Sequence, residues 1–94
     1  SGGECLTQPL VFKGSELRLN FATSVAGDVR VEMQDETGNP IEGFRLDDCD
    51  PTFGDSTDRP VAWKNGTDVG SLAGRSVRLR FVLKDGDVYA FRFA

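Results

Sequence analysis

A chain of 94 residues, 38% apolar and 28% charged and carrying seven Phe, holds enough material for one buried core and too little for two. Its net charge of −4 argues against nucleic acid or anionic lipid as a partner, because both are held by a positive field. No apolar run nears the roughly 20 residues that span a bilayer, so no membrane partner is expected.

In chain order, Ser1-Gly2-Gly3 has neither the basic nor the apolar region of a signal peptide, and no Met begins the chain. The start reads as a linker or cloning scar in front of one domain, 1–94, taken from a longer protein. Leu10 and Phe12 end at the turn Lys13-Gly14-Ser15. Leu17, Leu19 and Phe21 then alternate with Arg18 and Asn20, and Val29, Val31 and Met33 alternate with Arg30 and Glu32. Alternation with period two predicts half-buried strands. Pairing these two strands as a hairpin across 23–27 sets Phe21 opposite Val29, Leu19 opposite Val31 and Leu17 opposite Met33, a register that buries every apolar residue.

Phe44 and Leu46 follow the turn-rich Asp35–Pro40, Val61 and Trp63 mark another short strand, and Leu72 sits between two glycine-containing loops as a core plug. At the C-terminus Val77, Leu79, Phe81 and Leu83 form one alternating set, and Tyr89, Phe91 and Phe93 a second. A two-residue Asp85-Gly86 turn mixes apolar and charged residues on each face. A three-residue loop with Gly86 left-handed in a bulge instead sets Phe81 opposite Tyr89, Leu79 opposite Phe91 and Val77 opposite Phe93. Seven to eight short strands at this spacing predict an all-β fold, an antiparallel two-sheet sandwich of jelly-roll type.

The chain has no His. That removes the commonest general base, the usual partner of a nucleophilic Ser or Cys and the commonest transition-metal ligand. A glycosidase-like carboxylate pair is left in principle. A convex sandwich of this size offers no evident cleft for one, so no catalytic residues are expected.

Three groups invite a binding role. Asp47, Asp48, Asp50 and Asp55 lie in the densest acidic stretch and suit calcium, although the spacing is not that of an EF-hand. The reading preferred over calcium is that they cap turns, pair with arginines such as Arg59 and keep the loop soluble. Arg78 falls opposite Arg92 in the bulged register, with Arg80 next along, and such a pair needs an anion: Glu32 or the acidic loop from within, or a carboxylate or sulfate from a ligand. Trp63, the one tryptophan, is a stacking platform for sugar if exposed and a core residue if buried. Asn65-Gly66-Thr67 has the form of a glycosylation acceptor and reads equally as a turn. Cys5 and Cys49 form either one disulfide or two buried free thiols.

The stretches 19–35, 43–49 and 77–85 resemble the β-sandwich domain at the C-terminus of many planctomycete-type bacterial proteins that carry a glycosidase- or sialidase-like β-propeller. The family's Asp-Cys pair corresponds to Asp48-Cys49, and Cys5 has no counterpart in it. The resemblance implies a secreted or periplasmic, noncatalytic carbohydrate-active setting. The expected function is a carbohydrate-binding module whose partners are a polysaccharide or glycan, neutral or anionic, and the catalytic domain of the same parent chain. Its rival is a structural accessory domain that packs on the propeller without touching sugar. An exposed Trp63 or an unpaired arginine face favours the first, and an exposed apolar patch without polar ligand groups the second.

Overall fold

A computed structural model describes residues 3–94 of the chain, so most of the Ser1-Gly2-Gly3 start lies outside the described residues. The fold is predominantly β and antiparallel. Strands β1 (Gly3–Leu6), β2 (Leu17–Asp35), β3 (Asp55–Pro60) and β4 (Val77–Phe93) form a single four-stranded sheet in the order β1-β4-β2-β3. Two short 3₁₀ turns, Leu46–Asp48 and Gly70–Leu72, are the only helical pieces among the described residues. Neither is long or apolar enough to cross a membrane. A division into two sheets of seven or eight strands is not what the hydrogen bonding describes.

The difference arises because both expected hairpins are replaced by one long ribbon. Leu17, Leu19 and Phe21 pair with Phe93, Phe91 and Val88, and Val29, Val31 and Met33 pair with Leu83, Phe81 and Leu79. β2 and β4 therefore run beside each other almost end to end. At about 3.3 Å per residue, the 19 residues of β2 would extend roughly 60 Å if straight. The longest dimension of the molecule is 35 Å. The ribbon must fold back on itself, and it does so between the pairs Thr23↔Gly86 and Asp28↔Lys84, where four residues of β2 face the single Asp85 of β4. Asp85, not Gly86, has the left-handed backbone there, at φ 46°. The two glycines are needed for closeness. A Cβ on Gly27 would collide with the carbonyl oxygens of Lys84 and Asp85, and one on Gly86 would lie 2.9 Å from the carbonyl of Ala22.

Folding back gives the ribbon two halves. One contains β1, 77–84 of β4 and 28–35 of β2; the other contains 86–93 of β4, 17–23 of β2 and β3. Their apolar faces meet. The rings of Phe81 and Phe91 are 5.6 Å apart, although ten positions separate them on one strand, and Phe12 stacks on Phe93 at 4.0 Å. Leu17, Leu19, Phe21, Val29, Val31, Met33, Val77 and Leu79 are all buried between the halves. Each large apolar side chain so buried is worth about 2 kcal/mol against leaving it in water.

Loops close most of the remaining rim. Leu10 exchanges both backbone hydrogen bonds with Val77, and Thr52 does the same with Val29. The Phe44 carbonyl accepts from Met33 N–H, and Val61 N–H donates to Leu17. Phe44 and Leu46 belong to turns, and Val61 and Trp63 lie in irregular chain, so these expected strands are not strands. Leu72 does plug the core from the second 3₁₀ turn.

Candidate functional site

Trp63 is not a platform. It is 2% exposed, its indole N–H donates to the Val31 carbonyl at 3.0 Å, and its ring meets Phe44 edge-on. An indole with its one donor satisfied and its faces packed has nothing to offer a sugar.

The arginines are held from within. Arg78 stands opposite Gln34, not Arg92, and donates to the backbone carbonyls of Glu36 and Thr7 at 3.0 and 3.3 Å. Arg80 lies between Glu4 at 2.6 Å and Glu32 at 3.5 Å. The like-charged pair across the ribbon is Arg18 and Arg92, and Asp58 bridges it. Asp58 takes a two-pronged hydrogen bond from Arg92 at 3.1 and 3.0 Å and a further one from Arg18 at 3.2 Å. That bond from Arg92 holds the Asp58 carboxyl below the usual range and raises the guanidinium in turn. The anion that the crowded arginines require comes from the acidic stretch of the chain itself.

The acidic candidates do not converge. Asp48 accepts from the Arg45 amide at 3.3 Å and lies 3.6 Å from the Lys64 ammonium, while Asp47, Asp50 and Asp55 are exposed. No group of three or more His, Cys, Asp or Glu side chains is placed to hold a metal among the described residues. Calcium chelation needs several oxygens on one ion, and this arrangement does not supply them. Asn65-Gly66-Thr67 forms a turn in which Trp63 and Gly66 exchange backbone bonds. The cysteines are free, with Cys49 buried and Cys5 exposed.

The surface that stands out involves Tyr89 and Phe91. Glu16 and Ala94 exchange both backbone hydrogen bonds across the ribbon. In an antiparallel ladder the bonded pairs alternate, so Arg92 turns its peptide groups toward β2 and Phe91 turns its own outward. The described residues of β1 pair with 80–83 of β4. Among the described residues, no strand pairs with the outer edge of 86–93 and no loop backbone hydrogen-bonds to it.

Beside that edge, an open groove of about 510 Å³ runs between the two halves, lined by Cys5, Phe81, Leu83, Val88, Tyr89 and Phe91, with Asp87 as its charged side chain. Tyr89 is 64% exposed and Phe91 38%. Tyr89 also borders a shallow polar concavity with Asn20, Asp55, Ser56 and Thr57. Sequence reasoning missed this surface because it placed Tyr89 and Phe91 inside a hairpin. The available signal was the contrast between Val88-Tyr89-Ala90-Phe91 and the guarded Asp55-Ser56-Thr57-Asp58-Arg59-Pro60 at the other edge.

No protein-family model, curated protein or solved structure matches the chain.

Proposed function

We propose that the chain is a noncatalytic accessory domain that docks on a neighbouring protein surface, foremost the catalytic domain of its own parent chain. One observation carries this reading: an apolar groove lies open beside an unpaired strand edge, with aromatic side chains exposed where a solitary domain would place charge. Both features that would have favoured a polysaccharide are spent internally, Trp63 in the core and the arginines on Glu4, Glu32 and Asp58. The lack of His and the resemblance of 19–35, 43–49 and 77–85 to accessory domains of secreted bacterial glycosidase-like proteins support the noncatalytic, extracytoplasmic setting. The folded-back sheet reads as a jelly-roll-like sandwich made from two long bent strands.

One observation favours carbohydrate binding as a second reading: Tyr89 offers an exposed ring beside the hydrogen-bonding side chains of Asn20, Asp55, Ser56 and Thr57. Native gels cast with xylan, pectin or other neutral and anionic polysaccharides separate the two. Docking predicts no retardation, together with fluorescence of anilinonaphthalene sulfonate on the groove that Phe91→Lys abolishes. Retardation that Tyr89→Ala removes would replace docking by sugar binding.

A further inference from the structure

The two halves of the ribbon differ in what lies beyond β4. In one half β1 flanks β4; in the other, no strand among the described residues pairs with the outer edge of 86–93, and the groove lies between that edge and β1. A strand added along 86–93 would take up the outward peptide groups of Phe91 and send alternate side chains onto Phe81, Leu83 and Phe91. It would widen the second half from three strands to four.

Charge selects the occupant. Asp87 lines the groove, and Asp55 lines the concavity on the other side of Tyr89. No hydrogen bond or ion pair engages either side chain among the described residues, whereas Arg18, Arg80 and Arg92 are all paired. Two unpaired carboxylates flanking an exposed phenol ring suit the ammonium or guanidinium of a basic side chain, which also stacks on the ring. A second copy fits less well. It would bring another net charge of −4 and the same two carboxylates to the junction, and the only basic residue of this edge, Arg92, is occupied by Asp58.

We infer that the 86–93 edge accepts an extended polypeptide segment as an added β-strand, with apolar residues at alternate positions and a lysine or arginine beside Tyr89 and Asp87. The inference rests on the docking reading and specifies its mode and the partner's chemistry.

The test is selection of random ten-residue peptides on the full chain, followed by synthesis of the enriched sequences. The expected result is alternating apolar residues with Lys or Arg, protection of the Phe91 amide from hydrogen exchange on binding, and about tenfold weaker binding when two alternate peptide nitrogens are methylated. Asp87→Lys, an exposed substitution that leaves the core intact, is expected to weaken these peptides and to reverse the selected charge. Enriched peptides indifferent to N-methylation, or acidic in character, would overturn strand addition while leaving docking in place. Failure to enrich any peptide overturns it as well. Sedimentation of the free chain as a dimer with the Phe91 amide already protected would assign the edge to a second copy. Polysaccharide retardation dependent on Tyr89 would remove the docking reading itself.

Discussion

The two edges of the second half of the ribbon are built from opposite chemistry. β3 offers Asp55-Ser56-Thr57-Asp58-Arg59-Pro60, in which the charges and the proline discourage another strand from pairing there. Its Asp58 is also the clamp that holds Arg18 and Arg92 together across the ribbon. The 86–93 edge of β4 offers Tyr89, Ala90 and Phe91 over an apolar groove. Both edges flank the same central segment, 17–23 of β2, and face the same solvent. A domain that had to stay alone would guard both. That contrast is the ground on which docking is proposed at the unguarded edge.

The comparison collapses altogether if the ribbon cannot fold back. Gly27→Val places side-chain atoms where the Lys84 and Asp85 carbonyls already sit, with backbone on both sides of the conflict. A loss of about 3 kcal/mol in urea unfolding is expected, at the high end for overpacking. Unchanged stability would mean that the corner opens freely and the groove is not a fixed feature. The next largest effect concerns the other wall of the groove. Burial pushes the Glu32 carboxyl up, but hydrogen bonds from Gln34, the Leu46 amide and Arg80 outweigh it, and the group titrates below the usual range. Glu32→Ala leaves those donors without their acceptor at a 5% exposed site, a loss of about 2 kcal/mol, and frees the Arg80 that ties β1 through Glu4. A cost below about 0.5 kcal/mol would show that β1 is held by its backbone pairing alone.

Much of this was legible in the alternation of the sequence, and the part that was not has one cause. Leu17, Leu19, Phe21, Val29, Val31 and Met33 are all buried, as their spacing predicts. Period two tells which face a residue takes, not which strand stands beside it. A pair of local hairpins and a long ribbon folded over both bury these six side chains of β2. The bulge of four residues at 24–27 preserves the phase, so nothing in the pattern marks the difference. The wrong partner for β4 then carried Tyr89 and Phe91 into the core and hid the site. The rule that crowded arginines need an anion survived the wrong register, because Arg18 replaced Arg78 opposite Arg92 and Asp58 took the place between them.

The clamp gives a smaller, pH-dependent effect. Because Arg92 lowers the Asp58 carboxyl when the chain is folded, its contribution is present above the unfolded carboxyl range, around pH 4, and is lost as pH falls through the folded value. Asp58→Asn is expected to lower the unfolding midpoint at pH 7 and to leave no difference from the parent chain once both are titrated below that value. An equal deficit at acid pH would show that Asp58 acts by shape and not by charge.

The smallest perturbation reads the groove directly. Cys49 is buried, its sulfur accepts the Val31 amide at 3.3 Å and donates to the Asp50 carbonyl at 3.4 Å, and burial pushes its thiol up to about 11. Thiolate is the reacting species, so at pH 8 this cysteine is shielded by both position and ionisation. Cys5 lies exposed on β1 in the wall of the groove. Iodoacetamide on the folded chain is therefore expected to modify one of the two cysteines, with the second following only on unfolding. A peptide seated along 86–93 would cover Cys5 and slow its labelling. If Cys49 reacted as fast as Cys5, the two halves would be separating in the native state, and the open edge would be a consequence of breathing and not a built surface.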